Sequence, residues 1–321
     1  MSQGTETDAP EAPAETPPSP AEHAPAEVKA TGRPPQAGGR PGAHGHLAPE
    51  KIEATLKPEA GYHVMHLYFK LNRGALAHKG KGERRKAVKQ LALILDKASH
   101  PKIAEFQCFG VPGHKADFGV IMAGTDLRAI HDAQVAIQAS LLGQTLSMPY
   151  SFYSITEISE YVPSVDDYGK ILRDREGIDP ETPSYKAKVA AYESRLGPMN
   201  KQRITPEFPD WPCLCFYPMS KMREGDQNWY TQPFDVRSEL MSQHGKSGMK
   251  FAGKVSQIIT ASTGLDDWEW GVTLWAKNPT YLKDIVYTMR FDESSARYAL
   301  FGDFYFGFIL PPAELLDSLK I

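Results

Sequence analysis

A chain of 321 residues with 41% hydrophobic and 10% aromatic residues carries enough apolar surface for one large core or two ordinary ones. Its formal net charge of −3 speaks against a general nucleic-acid binder, and no run nears the ~18 consecutive apolar residues that a membrane crossing needs. The three cysteines (Cys108, Cys213, Cys215) form neither a CxxC pair nor an even disulfide framework, so the expectation is a reducing, cytoplasmic address with free thiols behaving as small core hydrophobes.

In chain order, residues 1–50 hold 10 of the 26 prolines and no aromatic residue. Such a stretch cannot bury enough apolar surface to offset its chain entropy, and a disordered tail over 1–58 is expected. "YHVMHLYFKL" (62–71) alternates as a strand, and 83–97 places Val88, Leu91 and Leu95 on one helical face. "KIAEFQCFG" (102–110) and "ADFGVIMAG" (116–124) read as a hairpin turning at "VPGHK". A helix over 126–142 and a strand over 147–159 complete a βαββαβ unit within 59–162. Residues 163–210 form a mixed linker with one helix at 184–196. The same order then returns over 211–321. "CLCFYPMS" is a strand, 233–244 a helix, 254–262 and 268–276 a hairpin, 279–290 a helix and "DFYFGFIL" (303–310) a last strand. The expected fold is therefore α+β, with two ferredoxin-like halves whose antiparallel sheets pack through their uncovered faces. The alternation of Trp268, Trp270, Val272 and Leu274 is assigned to that sheet-to-sheet contact.

Most familiar motifs fail. "GERRK" (82–86) is a solvated helix start more readily than a phosphate site. "HGKSG" (244–248) ends like a phosphate-binding loop, but Leu240 stands where the first glycine belongs, and the segment follows a helix. No HExxH, GxSxG or zinc-type spacing occurs. His244 follows Leu240 and Met241 on the apolar stripe of its helix, and it admits two readings. One is a satisfied core histidine. The other is a neutral imidazole offered to a metal in an apolar pocket, where a single ligand suits haem iron better than zinc. Arg290 suits a helix C-terminus, Ser295 a cap and Arg203 a charged linker. Together with Lys221 they would also suit a cationic, hydrogen-bonding rim.

"YPMSK" (217–221), "NWY" (228–230), "HG" (244–245), "GLDDWEWGVTL" (264–274), "MRFDESSARY" (289–298) and "FGDFYFG" (301–307) closely resemble the coproheme decarboxylases of the chlorite-dismutase-like superfamily. The resemblance runs from about residue 60 to 318. It implies a dimeric α+β barrel type of fold, a homopentamer, and haem in the C-terminal half alone. His244 then takes the place of the proximal iron ligand. Tyr217 matches the catalytic tyrosine and Lys221 the lysine beside it. Arg203, Arg290 and Ser295 match propionate-binding positions, and Met219 and Ser220 lie against the cofactor. Gln257 falls where this branch carries a distal glutamine; chlorite-splitting relatives have arginine there, and actinobacterial ones a histidine. In one place the chain departs from the pattern. Where the family often reads R-L-Y-P, this chain reads Arg203-Ile204-Thr205-Pro206, so one propionate contact is missing.

The implied reaction is the hydrogen-peroxide-dependent oxidative decarboxylation of iron coproporphyrin III (coproheme) to haem b. In it, Tyr217 passes an electron and a proton, and its radical takes hydrogen from a propionate methylene. Lys221 steers the carboxylate or handles protons. A ferrochelatase donating coproheme is a further implied partner, with no nucleic acid and no membrane insertion. Alternative readings are a general haem peroxidase, a chlorite-dismutase-like enzyme, and a haem carrier or sensor without chemistry. A carrier does not need Tyr217 with Lys221, and in a general peroxidase Gln257 would assist peroxide while any reductant serves.

Overall fold

The computed structural model describes residues 54–321. Of the expected tail, residues 1–53 lie outside the described residues, and 54–62 form no regular element. The first half runs β1 (His63–Leu71), α1 (Arg73–Ala77), α2 (Lys81–Ile94), β2 (Glu105–Gly110), β3 (Phe118–Gly124), α3 (Leu127–Gln138) and β4 (Leu146–Thr156). The connector holds α4 (Val165–Asp174) and α5 (Pro183–Ile204). The second half runs β5 (Cys213–Lys221), α6 (Phe234–Met249), β6 (Val255–Ala261), β7 (Trp270–Ala276), α7 (Pro279–Met289), α8 (Glu293–Ala296), β8 (Ala299–Phe301), β9 (Tyr305–Ile309) and α9 (Pro312–Ser318). Helix starts follow local chemistry. Asp126 accepts the Ala129 N–H at the start of α3, while Thr182 and Asn278 cap α5 and α7, each just before a proline.

Within the first half the strands lie in the order β4-β1-β3-β2, and within the second β6-β7-β5-β9. The halves then join edge to edge. Ile155 and Thr156 of β4 pair with Ala261 and Thr260 of β6, and Phe109 and Gly110 of β2 pair with Ile309 and Phe308 of β9. With β5 also paired to β7, eight strands close into one antiparallel barrel, and β8 adds to the far end of β5. Closure removes the four edges that two separate sheets would expose. The halves therefore do more than pack face to face. They share one interior, filled by Tyr68, Phe109, Phe152, Phe216, Trp275 and Tyr305. Gly271 and Gly307 are there because a Cβ at either would run into the rings of Phe152 or Phe109.

Three expectations need correction. Val272 and Leu274 do not face the other half: they pack with Tyr217, Leu282 and Ile285 under α7, while Trp275 and Thr273 point inward. Both faces of β7 are covered, so its alternation carried no information about which face is which. The connector forms two helices rather than one, joined by the Tyr168–Tyr192 ring stack at 4.1 Å and the Tyr192 hydroxyl donating to Pro163 O at 2.7 Å. Finally, α6 does not stop at His244. It continues through Gly245 to Met249, with Gly248 lying against the Met289 side chain.

Candidate functional site

Strand β5 divides its side chains between two environments. Leu214 and Phe216 fill the barrel, whereas Cys213, Cys215, Tyr217 and Met219 belong to the cluster beneath the helices. Register extends that outer face sideways: Tyr217 lies beside Val272, which lies beside Ile259, and Cys215 beside Leu274 beside Gln257. Burial does not extend with it. Val272 is 3% exposed and Tyr217 9%, but Ile259 is 45% exposed and Gln257 is also open. The outer face of β6 is thus an uncovered apolar ledge with one amide on it, next to a buried phenol.

The Tyr217 ring stacks on Phe304 at 4.4 Å and meets Phe301 edge-on at 5.7 Å. Among the described residues its hydroxyl has no hydrogen-bond partner. Burial raises this phenol well above its ordinary range, Cys215 adds to the rise, and the Arg290 charge opposes it. Arg290 caps α7 and is exposed, with its guanidinium over the Phe301 ring, 5.0 Å from the ring's centre. Phenol and guanidinium therefore share one aromatic neighbour.

Lys221 ends the strand as a buried cation. Its Nζ donates to Ser294 O at 2.9 Å and stands 4.1 Å above the Trp229 ring. Burial lowers its pKa to about 8, against the opposing pull of Glu269. The short helix α8 then links this lysine to the histidine. His244 Nδ1 lies 3.1 Å from Asp292 Oδ2, Ser247 donates to the other oxygen at 2.8 Å, and Asp292 O accepts the Ser295 N–H. Burial lowers the His244 pKa, the Lys221 charge lowers it further, and Asp292 opposes both. With Nδ1 oriented by a carboxylate, Nε2 is the nitrogen left for a metal. Among the described residues no group of three or more His, Cys, Asp or Glu side chains is placed to hold a metal ion. A metal on His244 would have to bring its other ligands with it.

The structure thus brings together Tyr217, Met219, Lys221, His244, Arg290 and Ser295, with Gln257 on the adjoining ledge. Ser220 does not join them. It points to the opposite face of β5, where its Oγ accepts the Glu269 N–H at 3.2 Å. Arg203 sits exposed at the end of α5, with no described contact to the others. Thr205, which replaces the expected tyrosine, donates to Lys201 O at 3.1 Å and closes the same helix. Sequence reasoning missed Asp292, Trp229, Glu269 and Ser294. All four lie inside segments quoted for the resemblance, but their partners are 8 to 73 positions away, and only the fold supplies them.

Comparisons with known proteins identify the family and the fold. The chlorite dismutase family model matches residues 84–310. A protein of Natronomonas pharaonis named as heme-binding is 39% identical over 260 residues, covering 80% of this chain and 40% of its own length. One of Halobacterium salinarum, named likewise, is 42% identical over 207 residues, covering 64% and 38%. The chain therefore spans about two-fifths of the length of these curated relatives. Among solved structures, a heme-binding protein from Thermus thermophilus has 33% identity and a TM-score of 0.66, covering 82% of this chain and 96% of that one. A mutant chlorite dismutase from Candidatus Nitrospira defluvii, 16% identical with a TM-score of 0.61, covers 82% and 98% and shares the fold. No described helix is long and apolar enough to cross a membrane. On its matched family model and its relatives, the chain belongs to the chlorite dismutase family.

Proposed function

We propose that this chain binds iron coproporphyrin III and converts two of its propionates to vinyl groups, giving haem b, with hydrogen peroxide as oxidant. One observation carries the reading: a buried phenol, with no hydrogen-bond partner among the described residues, lies four residues from a buried ammonium, beside an uncovered apolar ledge. A haem carrier has no use for the first two. The residues suit an iron porphyrin. Its flat apolar face would cover Ile259, and burial at ~25 cal/mol per Å² supplies affinity without direction. His244 would hold its iron through Nε2. Its carboxylates need cations, which Arg290 and Lys221 offer at the rim.

When bound, the iron porphyrin supplies the oxidising power of peroxide to the site. The chain's part is positional. Asp292 keeps the imidazole oriented, and Lys221 holds a propionate by its carboxylate. Tyr217 carries a hydrogen atom, giving up its phenolic one and taking another from the propionate carbon. For each propionate, one carbon dioxide leaves, two electrons pass to one peroxide, and two waters form. Gln257 offers an amide where chlorite-splitting relatives carry a cation, which favours this reading over chlorite chemistry.

The test is to mix the protein with iron coproporphyrin III, titrate peroxide, and follow porphyrin mass. Two successive losses of carbon dioxide with two hydrogens are expected. Unchanged porphyrin would support a carrier, and bleaching without vinyl product a general peroxidase; either result defeats the proposal.

A further inference from the structure

Glu269 is a buried carboxylate, 8% exposed, one residue before β7. The paired register of β5 and β7 ends at Met219 and Trp270. Beyond it, the Lys221 N–H donates to Glu269 Oε2 at 2.7 Å, so a side chain takes over from the ladder. The Glu269 N–H goes to Ser220 Oγ, and its carbonyl accepts the Ser262 N–H at 2.8 Å. The Tyr230 phenol turns to the same carboxylate; burial raises that phenol and the contact with Glu269 raises it further. Tyr230 follows Trp229, whose ring lies under the Lys221 ammonium and whose N–H returns to Met222 O at 2.9 Å. One carboxylate thus fixes the backbone of Lys221 and lies beside the loop that presents its aromatic support.

An ammonium has three donors. Ser294 O takes one, the Trp229 face a second, and among the described residues no carboxylate pairs with Nζ. Glu269 supplies a negative charge beside the lysine while bonding to its backbone, which leaves the third donor open. A direct Glu–Lys pair would close it. We infer that Glu269 is a positioning residue for Lys221, fixing the ammonium without occupying the donor that a substrate carboxylate would take. This rests on the proposed reading for the identity of that carboxylate, though not for the arrangement itself.

The test compares Glu269→Ala, Glu269→Gln, Lys221→Ala and the Glu269→Ala/Lys221→Ala double variant in the full chain. Two metal-free probes are used: coproporphyrin III, with four carboxylates, and mesoporphyrin, with two. Lys221→Ala is expected to weaken coproporphyrin about tenfold to a hundredfold, the range for a charged hydrogen bond, and mesoporphyrin far less. Glu269→Ala should reproduce most of that selective loss, and the double variant should be no weaker than Lys221→Ala alone, because one residue acts through the other. Glu269→Gln keeps an acceptor for the strand-end N–H and should stay within about threefold of the parent. A ligand-free readout accompanies these: Trp229 emission, isolated by difference against Trp229→Phe, should shift in Glu269→Ala and remain in Glu269→Gln. Additive losses, equal weakening of both porphyrins, or a Gln variant as weak as Lys221→Ala would overturn the inference. Should the parent bind neither metal-free porphyrin, the Trp229 emission alone decides on Glu269: no shift in the Ala variant overturns it.

Discussion

The two halves of the barrel are the same fold put to different ends, and register allows them to be compared strand by strand. Leu67 of β1 pairs with Val120 of β3 as Tyr217 of β5 pairs with Val272 of β7. On the same scale Leu71 corresponds to Lys221. Phe106, opposite Met122, corresponds to Gln257, opposite Leu274; Cys108, opposite Val120, corresponds to Ile259, opposite Val272. The first-half members are 0, 7, 5 and 4% exposed, and all but Leu71 belong to the cluster under α2, α3 and α9. In the second half the same four places hold a phenol, an ammonium, an amide and an uncovered isoleucine. A ferredoxin-like half becomes a site by exchanging apolar side chains at a few outward positions of one sheet. The second half also adds α8 and β8 between α7 and β9, and α8 with its N-cap carries the partners of Lys221 and His244.

The largest expected effect comes from breaking what the halves share. His66 on β1 is fully buried inside the barrel, and its Nε2 lies 2.8 Å from Thr273 Oγ1 on β7, across the two halves. Burial pulls its pKa from 6.5 to about 3, against a weaker opposing backbone contact at Phe152. A base depressed in the folded state is neutral in both states above 6.5, and there its contribution is complete. As pH falls from 6.5 toward 3 the unfolded chain takes up the proton first, and up to about 5 kcal/mol is lost. His63 and His244, also lowered, act in the same direction. Denaturant midpoints at pH 7, 5 and 4 should fall steeply for the parent and less for His66→Gln, which keeps a hydrogen-bonding group without the titration. Parallel curves would show that His66 does not link the halves in this way.

Next in size is the exchange at the corresponding pair. Tyr217→Phe keeps the ring on Phe304 and removes one oxygen that has no described partner, so stability should hardly change. Vinyl product should fall by about a thousandfold, about 4 kcal/mol of barrier, with coproheme affinity unchanged. Leu67→Ala should do the reverse: a loss of about 3 kcal/mol in stability, and no effect on porphyrin binding once folded. Product mass and thermal melting on both variants check this. If Tyr217→Phe makes haem b at the parent's rate, Tyr217 is only a second Leu67.

This comparison also explains what could be read in advance. The repeated βαββαβ elements of both halves were legible because turn residues and the 2.0 and 3.6 periods mark them, whereas the short α1, α8, β8 and α9 were not. Barrel closure was not, since the seams rest on two residue pairs each, between strands 106 and 200 positions apart. The side chains on β5 were legible once "YPMSK" was quoted, and strand alternation already separates Ser220 from Tyr217 and Lys221. Arg203 was assigned to the rim through the resemblance, and in the structure it stands exposed at the end of α5 with no described contact to the other candidates. Asp292, Trp229 and Glu269 stayed hidden for a different reason: an aspartate before a short helix reads as a cap, a tryptophan as core and a glutamate as surface. Only their partners (His244, the Lys221 ammonium and the Lys221 N–H) give them their roles.

Arg290 offers the smallest effect and the sharpest question about the rim. It has no described salt bridge, and its position at the end of α7 already suits a cation, which there is worth about 0.3–1 kcal/mol in stability. If that were all, Arg290→Ala would lower the melting point slightly and leave porphyrin affinity alone. As a carboxylate clamp it should do more, because a charged, two-pronged hydrogen bond is worth about tenfold or somewhat above at an exposed site. Arg290→Lys separates the two roles, since it keeps the charge at the helix end and loses the planar fork. The expected pattern is a tenfold weaker coproheme affinity in Arg290→Ala, about half of that loss in free energy in Arg290→Lys, and a melting point that only the alanine lowers. Coproheme and haem b titrations then identify the carboxylate. Selective weakening of coproheme places Arg290 at a propionate that the reaction removes, next to Tyr217 across Phe301. Equal weakening places it at one that both porphyrins keep. No weakening of either returns Arg290 to the helix end, and the rim would then rest on Lys221 and Ser295.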